Sequence, residues 1–303
     1  MNLSRTVVRE RGVGSAFRFA SSLLFGIGAA PQASMRGRYP GSTRHWAIRY
    51  ARPSGVRCKH MSRFCGGDGF PLKSILMTDI ATRLQHVRAR LRSAELAAGR
   101  PEGAVSLLAV SKTQTATCLR AAFAAGQRAF AENYLQEALV KQEELHDLAL
   151  EWHFIGPLQS NKTRPVAEHF AWVHSVDRAK LAERLGAQRP AHLPPLNICL
   201  QINLDDEASK SGCTLVELSA LARSVMAQPR LCLRGLMCIP RPGNSAAFGQ
   251  LAQTRADLLA SIAGLDAGQF DTLSMGMSAD LEAAVAAGST LVRIGTAIFG
   301  ERG

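Results

Sequence analysis

From residue 77 to the C-terminus, short apolar segments alternate with longer segments of helical periodicity, and this alternation constrains the fold more than any other feature of the sequence. The segments read as continuous apolar runs, which is typical of parallel strands whose two faces are both covered. Strands that alternate with helices predict βαβ units and a parallel sheet. The strand-like segments are 106–111, 129–132, 152–155, 172–176, 196–203, 231–239, 272–275 and 291–294.

Eight such units in about 227 residues match the count and size of a single (β/α)8 barrel of the TIM type. A helix over residues 78–98 precedes the first strand, and the spacing of its apolar residues predicts one buried face formed by Ile80, Leu84, Val87, Leu91 and Leu96. A doubly wound open sheet is the structural alternative. No GxGxxG motif follows the first strand, which argues against the dinucleotide-binding form of that sheet.

The net charge of +12 lies almost entirely in residues 1–76, which carry 13 Lys and Arg against two acidic residues. The barrel segment, residues 77–303, is nearly neutral, so no nucleic-acid binding is expected through it. Residues 1–76 are rich in Arg, Gly and Ser and lack periodicity, which predicts a disordered or poorly structured basic extension. It has three possible origins: a transit peptide, a secretory signal, or sequence upstream of a translation start at Met77.

Two further classes of site are not expected from the sequence. No run of 18 apolar residues is present, so no membrane-spanning helix is predicted. The seven cysteines include no CxxC pair, and the grouping of Cys58, His60 and Cys65 fits no common zinc spacing. Free, scattered cysteines favour a reducing compartment, and the expected location is the cytoplasm.

The first strand ends at Lys112, and in a barrel of this type the chemistry lies where each strand runs out into its βα loop. Partial burial would lower the pKa of the lysine amine from about 10.4, as an imine-forming amine requires to be nucleophilic near neutral pH. A lysine that extends into solvent fits the spacing equally well.

The last two strands are followed by small and hydroxyl residues. Ser278 is expected to be the N-cap of the next helix, and Gly295 and Thr296 follow the eighth strand. Amide N–H groups, glycines and hydroxyls bind phosphate, and barrels commonly bind it after strands seven and eight. Ordinary capping explains each feature separately. Since a closed barrel makes the first and last strands neighbours, a ligand with an aldehyde and a phosphate, such as pyridoxal phosphate, would span Lys112 and this junction.

Eight motifs, in the same order along residues 78–303, resemble the pyridoxal-phosphate homeostasis proteins, whose fold is related to the N-terminal domain of alanine racemases. The motifs are 107–112, 132–137, 152–162, 174–177, 209–212, 233–237, 274–282 and 292–300. The resemblance implies a cofactor-binding set in which a lysine forms a Schiff base, three residues bind phosphate, an arginine lies near the pyridine nitrogen and an asparagine lines the site. In that order the residues are Lys112, then Ser278, Gly295 and Thr296, then Arg293, then Asn133. The sequence departs from the family pattern at Ala131 and Thr115, two positions that bear on local loop geometry and not on cofactor binding.

The resemblance implies a protein that binds pyridoxal 5'-phosphate and takes part in vitamin B6 homeostasis without dedicated substrate turnover, so no catalytic residue is assigned. The alternative is a racemase or transaminase whose second base is His153 or Tyr134. In alanine racemases that base comes from a further C-terminal domain, which is not expected here. The expected partners are the cofactor and, transiently, enzymes that use it, and the expected oligomeric state is a monomer.

Overall fold

In the computed structural model of this protein, the described residues are 72–205 and 211–300, with side chains described from residue 79 onward. Nearly all of the predicted extension, including the grouping of Cys58, His60 and Cys65, lies outside these residues. So does half of the motif at 209–212, namely residues 209 and 210.

Eight parallel strands close into a barrel in chain order, and β1 pairs with both β2 and β8. This closure confirms the predicted (β/α)8 barrel and excludes the open sheet. Each strand boundary lies within one residue of its predicted position. The strands are β1 Ser106–Val110, β2 Ala129–Glu132, β3 Glu151–Phe154, β4 Trp172–Val176, β5 Leu196–Ile202, β6 Leu231–Cys238, β7 Thr272–Ser274 and β8 Leu291–Ile294.

Helices follow the strands around the outside of the barrel. They are α1 Leu72–Ala97, α2 Ala116–Ala124, α3 Leu135–Glu144, α4 Thr163–His169, α5 Ala179–Gln188, α6 Leu215–Met226, α7 Ala246–Ser261, α8 Leu281–Ala286 and α9 Thr296–Phe299, with a short 3-10 helix at Ser160–Lys162. Helix α1 begins six residues before its predicted start, and the short helix α9 is not predicted by the sequence pattern.

Helix α1 packs on the barrel through one face, as its periodicity predicts. Ile80, Leu84, Val87 and Leu91 are buried, but the expectation for Leu96 is wrong, because its side chain is 79% exposed. Ala94, three positions after Leu91, continues the buried face instead. Helix α1 ends at Ala97 and is followed by Gly99 in a left-handed conformation.

Side chains alternate along each strand between two layers. Those that point outward join the main hydrophobic core beneath the helices, as Phe130 and Phe154 do. A small inner cluster is formed by Leu108, Ala131 and Leu291. Buried polar side chains also lie on the strands, among them His153, His174, Ser274 and Arg293.

The two departures from the family pattern have ordinary local explanations. Ala131 is fully buried in the inner cluster, where a methyl group fits. Thr115 is the N-cap of α2, and its hydroxyl accepts a hydrogen bond from the Cys118 amide. Ala131 lies within an intact β2, and Thr115 follows an intact β1.

Among the helices in the described part of the chain, none combines the length and the hydrophobicity of a membrane-spanning segment. No three His, Cys, Asp or Glu side chains in that part are grouped closely enough to bind a metal ion. The Cys199 and Cys238 thiols are buried, whereas Cys232 is only partly buried. Burial raises the pKa of Cys238 to about 12, so this thiol is a packing group and not a nucleophile.

Candidate functional site

The carboxyl ends of β1 and β8 lie side by side, as the sequence predicts for a closed barrel. Ala109 is in register with Ile294, and the following residues continue the contact. A Cβ atom added to Gly295 would lie 3.1 Å from the Val110 carbonyl oxygen, so only a very small residue fits here without displacement. This packing places the Lys112 turn next to the Gly295–Thr296 junction.

Lys112 lies in a turn whose backbone is fixed by hydrogen bonds to both of its neighbours, Ser111 and Thr113. The next residue, Thr113, has a φ of +65°, a left-handed conformation that is uncommon for a residue other than glycine. Its amide donates a hydrogen bond to Glu137 Oε1 at 2.5 Å. Strain of this kind costs on the order of 1–3 kcal/mol and persists only where the surrounding structure fixes it. The partly buried Lys112 is therefore presented by a constrained turn.

A buried ionic cluster that the sequence analysis missed supports this turn. Lys141 Nζ donates to the Ser111 carbonyl at 2.6 Å, to Glu132 Oε1 at 2.7 Å and to Glu137 Oε1 at 2.6 Å. Burial raises the pKa of Glu132, and the hydrogen bonds from Lys141 and Ser111 oppose that shift. The available signal was the spacing of Glu137 and Lys141, which places them one turn apart on α3.

Asn133 follows β2 at the carboxyl-terminal rim of the barrel, the rim on which the Lys112 turn and the Gly295–Thr296 junction also lie. It is fixed by Gly156, because a Cβ on that glycine would lie 2.0 Å from the Asn133 carbonyl oxygen. Three buried polar atoms here have no hydrogen-bond partner within residues 72–205 and 211–300: Asn133 Oδ1, Glu132 Oε2 and Ser175 Oγ. Since buried polar atoms are nearly always hydrogen-bonded, unpaired ones at the carboxyl ends of β2 and β4 indicate a polar ligand or water.

The expected N-cap role of Ser278 is wrong. Helix α8 begins at Leu281 after a turn, and the N-cap position belongs to Asp280, whose carboxylate accepts from the Met277 amide at 2.5 Å. The carbonyl oxygen of Ser278 accepts from Arg90 of α1 at 2.7 Å. Ser278 thus lies in the loop after β7, anchored through its backbone.

At the junction after β8, Gly295 and Thr296 directly follow the strand, as the sequence predicts. Gly295 is the N-cap of α9, and Thr296 is its first residue. The first N–H groups of a helix have no partner inside it, so they are available to an anion at the rim. Of the predicted site, the structure brings Lys112, Asn133, Arg293, Gly295 and Thr296 to the ends of β1, β2 and β8, with Ser278 in the loop after β7.

Arg293 is buried inside the barrel near the carboxyl end of β8. Its guanidinium donates to the carbonyl and hydroxyl oxygens of Ser274 at 2.5 and 2.8 Å, and to the Cys238 carbonyl at 2.8 Å. Burial lowers the pKa of the guanidinium, but an arginine stays charged at all ordinary pH values. A fixed positive charge therefore lies across the ends of β6 and β7.

The chain is similar to one protein family and to relatives that share one name. Residues 82–303 match the family model described as alanine racemase, N-terminal domain. Over 231 residues the chain is 59% identical to the pyridoxal phosphate homeostasis protein of Pseudomonas aeruginosa, covering 75% of this chain and 97% of that protein. The protein of the same name from Escherichia coli is 52% identical, with coverages of 75% and 98%.

Solved structures give the same picture. PipY of Synechococcus elongatus, solved with PLP bound, superposes with a TM-score of 0.64 at 40% identity, covering 73% of this chain and all of that one. The alanine racemase of Corynebacterium glutamicum superposes with a TM-score of 0.54 at 16% identity, covering 74% of this chain and 62% of that one. At this identity the likeness to the racemase concerns the fold alone.

Proposed function

This chain belongs to the pyridoxal phosphate homeostasis proteins, within the alanine racemase N-terminal domain family, and we propose that it binds pyridoxal 5'-phosphate at the carboxyl-terminal rim of its barrel and takes part in the homeostasis of that cofactor. The observation that carries the proposal is the juxtaposition of the Lys112 turn with the Gly295–Thr296 junction. When bound, the cofactor supplies an aldehyde that condenses with an amine to a Schiff base, with loss of water.

The residues present fit this cofactor. The rim offers an amine after β1, a glycine-lined helix start after β8, and the fixed guanidinium of Arg293, which reaches from β8 towards the ends of β7 and β6. The unpaired Asn133 Oδ1 supplies a polar group at the end of β2, on the other side of β1. Each chemical feature of pyridoxal phosphate, its aldehyde, its phosphate dianion and its ring nitrogen, thus has a matching group.

Lys112 is the residue we assign to the covalent bond. The Lys141 cluster holds the Ser111 carbonyl, and the Glu137 carboxylate holds the Thr113 amide, so both neighbours of Lys112 are fixed. A fixed turn orients the amine before the cofactor arrives and lowers the entropic cost of binding.

We assign the phosphate to the junctions after β7 and β8. The Thr296 hydroxyl and the first amides of α9 donate from one side, and the Ser278 hydroxyl donates from the loop anchored by Arg90. Gly295 allows the backbone to approach the anion because it adds no side chain to the tight contact with Val110.

Arg293 favours binding without dedicated turnover. A permanently charged guanidinium near the ring nitrogen disfavours protonation of that nitrogen, and this weakens the ring as an electron sink. The bases considered for the racemase alternative are also badly placed. His153 lies in the middle of β3, 1% exposed and engaged by Glu151 and His174. Tyr134 is 58% exposed at the start of α3.

The test of the site is chemical trapping. The purified protein loaded with pyridoxal phosphate is reduced with borohydride, digested and mapped by mass spectrometry, and the label is expected on Lys112. A label confined to another lysine would overturn the assignment. Incubation of the loaded protein with L-amino acids tests the second half of the proposal, since sustained racemisation or keto-acid formation would contradict it.

We extend the proposal to partners and location. The chain acts as a monomer in the cytoplasm and passes its cofactor to pyridoxal phosphate enzymes through transient contacts, while residues 1–76 take no part in binding. Light scattering, cell fractionation and cofactor transfer to an apo-enzyme test these statements. Removal of residues 1–71, which precede α1, should leave the trapping result unchanged.

A further inference from the structure

Five side chains form an unbroken hydrogen-bonded line through the inside of the barrel. Glu151 Oε1 lies 2.7 Å from His153 Nε2, and His153 Nδ1 lies 2.9 Å from His174 Nε2. His174 Nδ1 lies 2.8 Å from Ser274 Oγ, which in turn lies 2.8 Å from Arg293 Nη1. The line begins at the amino end of β3 and ends at the guanidinium beneath the rim described above.

With both rings neutral, the Glu151 carboxylate, which can only accept, and the Arg293 guanidinium, which can only donate, set one direction for every hydrogen bond of the line. Arg293 can only donate, so Ser274 Oγ accepts from it. The hydroxyl proton of Ser274 then has one acceptor among the contacts described for it, Nδ1 of His174. A histidine whose Nδ1 accepts carries its proton on Nε2, and His174 therefore donates to His153 Nδ1. By the same rule His153 donates from Nε2 to the Glu151 carboxylate.

The charges agree with this direction. Burial, together with His153 and Arg293, holds the pKa of His174 well below its usual range. Burial also lowers the pKa of His153, although Glu151 opposes that shift. Both rings are therefore neutral at neutral pH, and the line joins a cationic end to an anionic one. The hydrogen bond from His153 lowers the pKa of the Glu151 carboxylate.

The anionic end is open to solvent. The side chain of Glu151 is 51% exposed, whereas that of His153 is 2% exposed. Glu151 lines a cavity of about 430 Å³ at the amino-terminal mouth of the barrel, together with Trp172, Arg234 and Asp271. The charged or titratable groups that face the line from the surrounding elements are Arg234 and Asp271 at the mouth, and Cys199, Cys238 and Asp280 around Arg293.

We propose that Glu151, His153, His174 and Ser274 form a positioning relay, which fixes the Arg293 guanidinium at the cofactor site and transmits the charge of the opposite, amino-terminal mouth to it. The part of this inference that concerns the cofactor rests on the proposed function, whereas the relay belongs to the protein alone. Arg293 makes its described hydrogen bonds to uncharged oxygens, and the polarised line connects it to a carboxylate.

The relay is tested first in the apoprotein, by 15N NMR of protein labelled at histidine, between pH 6 and 8. We expect two histidines that do not titrate, both protonated on Nε2 and unprotonated on Nδ1. Ser274→Ala removes only a hydroxyl and should move the Nδ1 signal of His174 strongly while leaving the tautomer of His153 unchanged. A wild-type His174 protonated on Nδ1 would overturn the relay, even if the cofactor binds as proposed.

The coupling is tested in the loaded protein with Glu151→Gln, which keeps an acceptor for His153 but removes the charge. The matched control is Asp271→Asn, a carboxylate at the same mouth that lies off the line. We expect Glu151→Gln to weaken pyridoxal phosphate binding by about two- to fourfold and to shift the visible band of the bound cofactor, with no change for the control. Equal effects of the two variants, or none for Glu151→Gln, would refute the coupling.

The two sets of measurements separate the possible failures. Wild-type protein that shows the expected tautomers but does not bind pyridoxal phosphate would refute the proposed function and leave the relay intact. Wild-type protein that binds the cofactor at Lys112 but in which His153 and His174 titrate between pH 6 and 8 would refute the relay alone.

Discussion

The two mouths of the barrel differ in how their polar groups are satisfied. At the carboxyl-terminal rim, Asn133 Oδ1 and Ser175 Oγ are buried without hydrogen-bond partners among the described residues. At the amino-terminal mouth the charges are paired: Arg234 bonds Asp271, and Glu151 accepts from His153. The cavity of about 430 Å³ lies at this second mouth. The proposed function assigns the site to the rim with unpaired polar atoms beside a constrained backbone, and not to the mouth that holds this cavity.

The largest expected effect tests that the chemistry belongs to the carboxyl-terminal rim. Lys112→Ala should abolish borohydride labelling of the 112 peptide, since no amine remains there. Because Lys112 is only partly buried and lies outside the hydrophobic clusters, the melting temperature should stay within a few degrees of wild type. Peptide mapping and thermal melts measure the two outcomes. Lys180→Ala, an exposed lysine of α5, is the control and should retain the label on Lys112. Unfolding of Lys112→Ala would show instead that the lysine is structural.

Breaking the buried ion pairs of Lys141, which support the Lys112 turn, should lower the free energy of unfolding by several kcal/mol. Lys141→Met removes the cation that neutralises Glu132 and Glu137, and breaking a buried ion pair from one side costs about 3–5 kcal/mol. Urea unfolding should detect this loss, together with weaker retention of the cofactor. Lys180→Met provides the comparison for a lysine at the surface. A loss below about 1 kcal/mol would mean that the cluster relaxes or rehydrates.

The polar interior that joins the two mouths should appear in the pH dependence of stability. His153 and His174 have lowered pKa values in the folded state, so below their ordinary value of 6.5 the unfolded chain binds more protons than the folded one. Stability is then fully present above that pH and is lost as the pH falls below it, by up to about 1.4 kcal/mol per pH unit for each histidine.

Urea unfolding at a series of pH values between 7.5 and 5 measures this slope. His174→Gln should flatten it, whereas His192→Gln, which changes a histidine exposed after α5, should leave it unchanged. The same slope in wild type and in His174→Gln would show that His174 is not held neutral.

The sequence predicted the barrel well because continuous apolar runs identify buried parallel strands, and chain order then places Lys112 beside Gly295. It failed where a feature depends on the path of a loop. The turn after β7 delays α8 to Leu281, which removes the N-cap role from Ser278. The sequence also could not reveal contacts between distant positions. His174 and Ser274 are 100 residues apart, and nothing in either residue type predicts that it contacts the other.

The smallest expected effect tests the amino-terminal mouth directly. Asp271→Asn weakens the ion pair with Arg234, whose two side chains are 27% and 43% exposed. Partly solvated pairs of this kind contribute about 0–1 kcal/mol, so unfolding in urea should change by less than that, and cofactor binding should not change at all. Gly295→Val, at the other mouth, should by contrast weaken binding at least about tenfold, because its side chain would enter the space beside Val110. If Asp271→Asn released the cofactor and Gly295→Val did not, the ligand would occupy the cavity at the amino-terminal mouth, and the assignment of functions to the two mouths would be reversed.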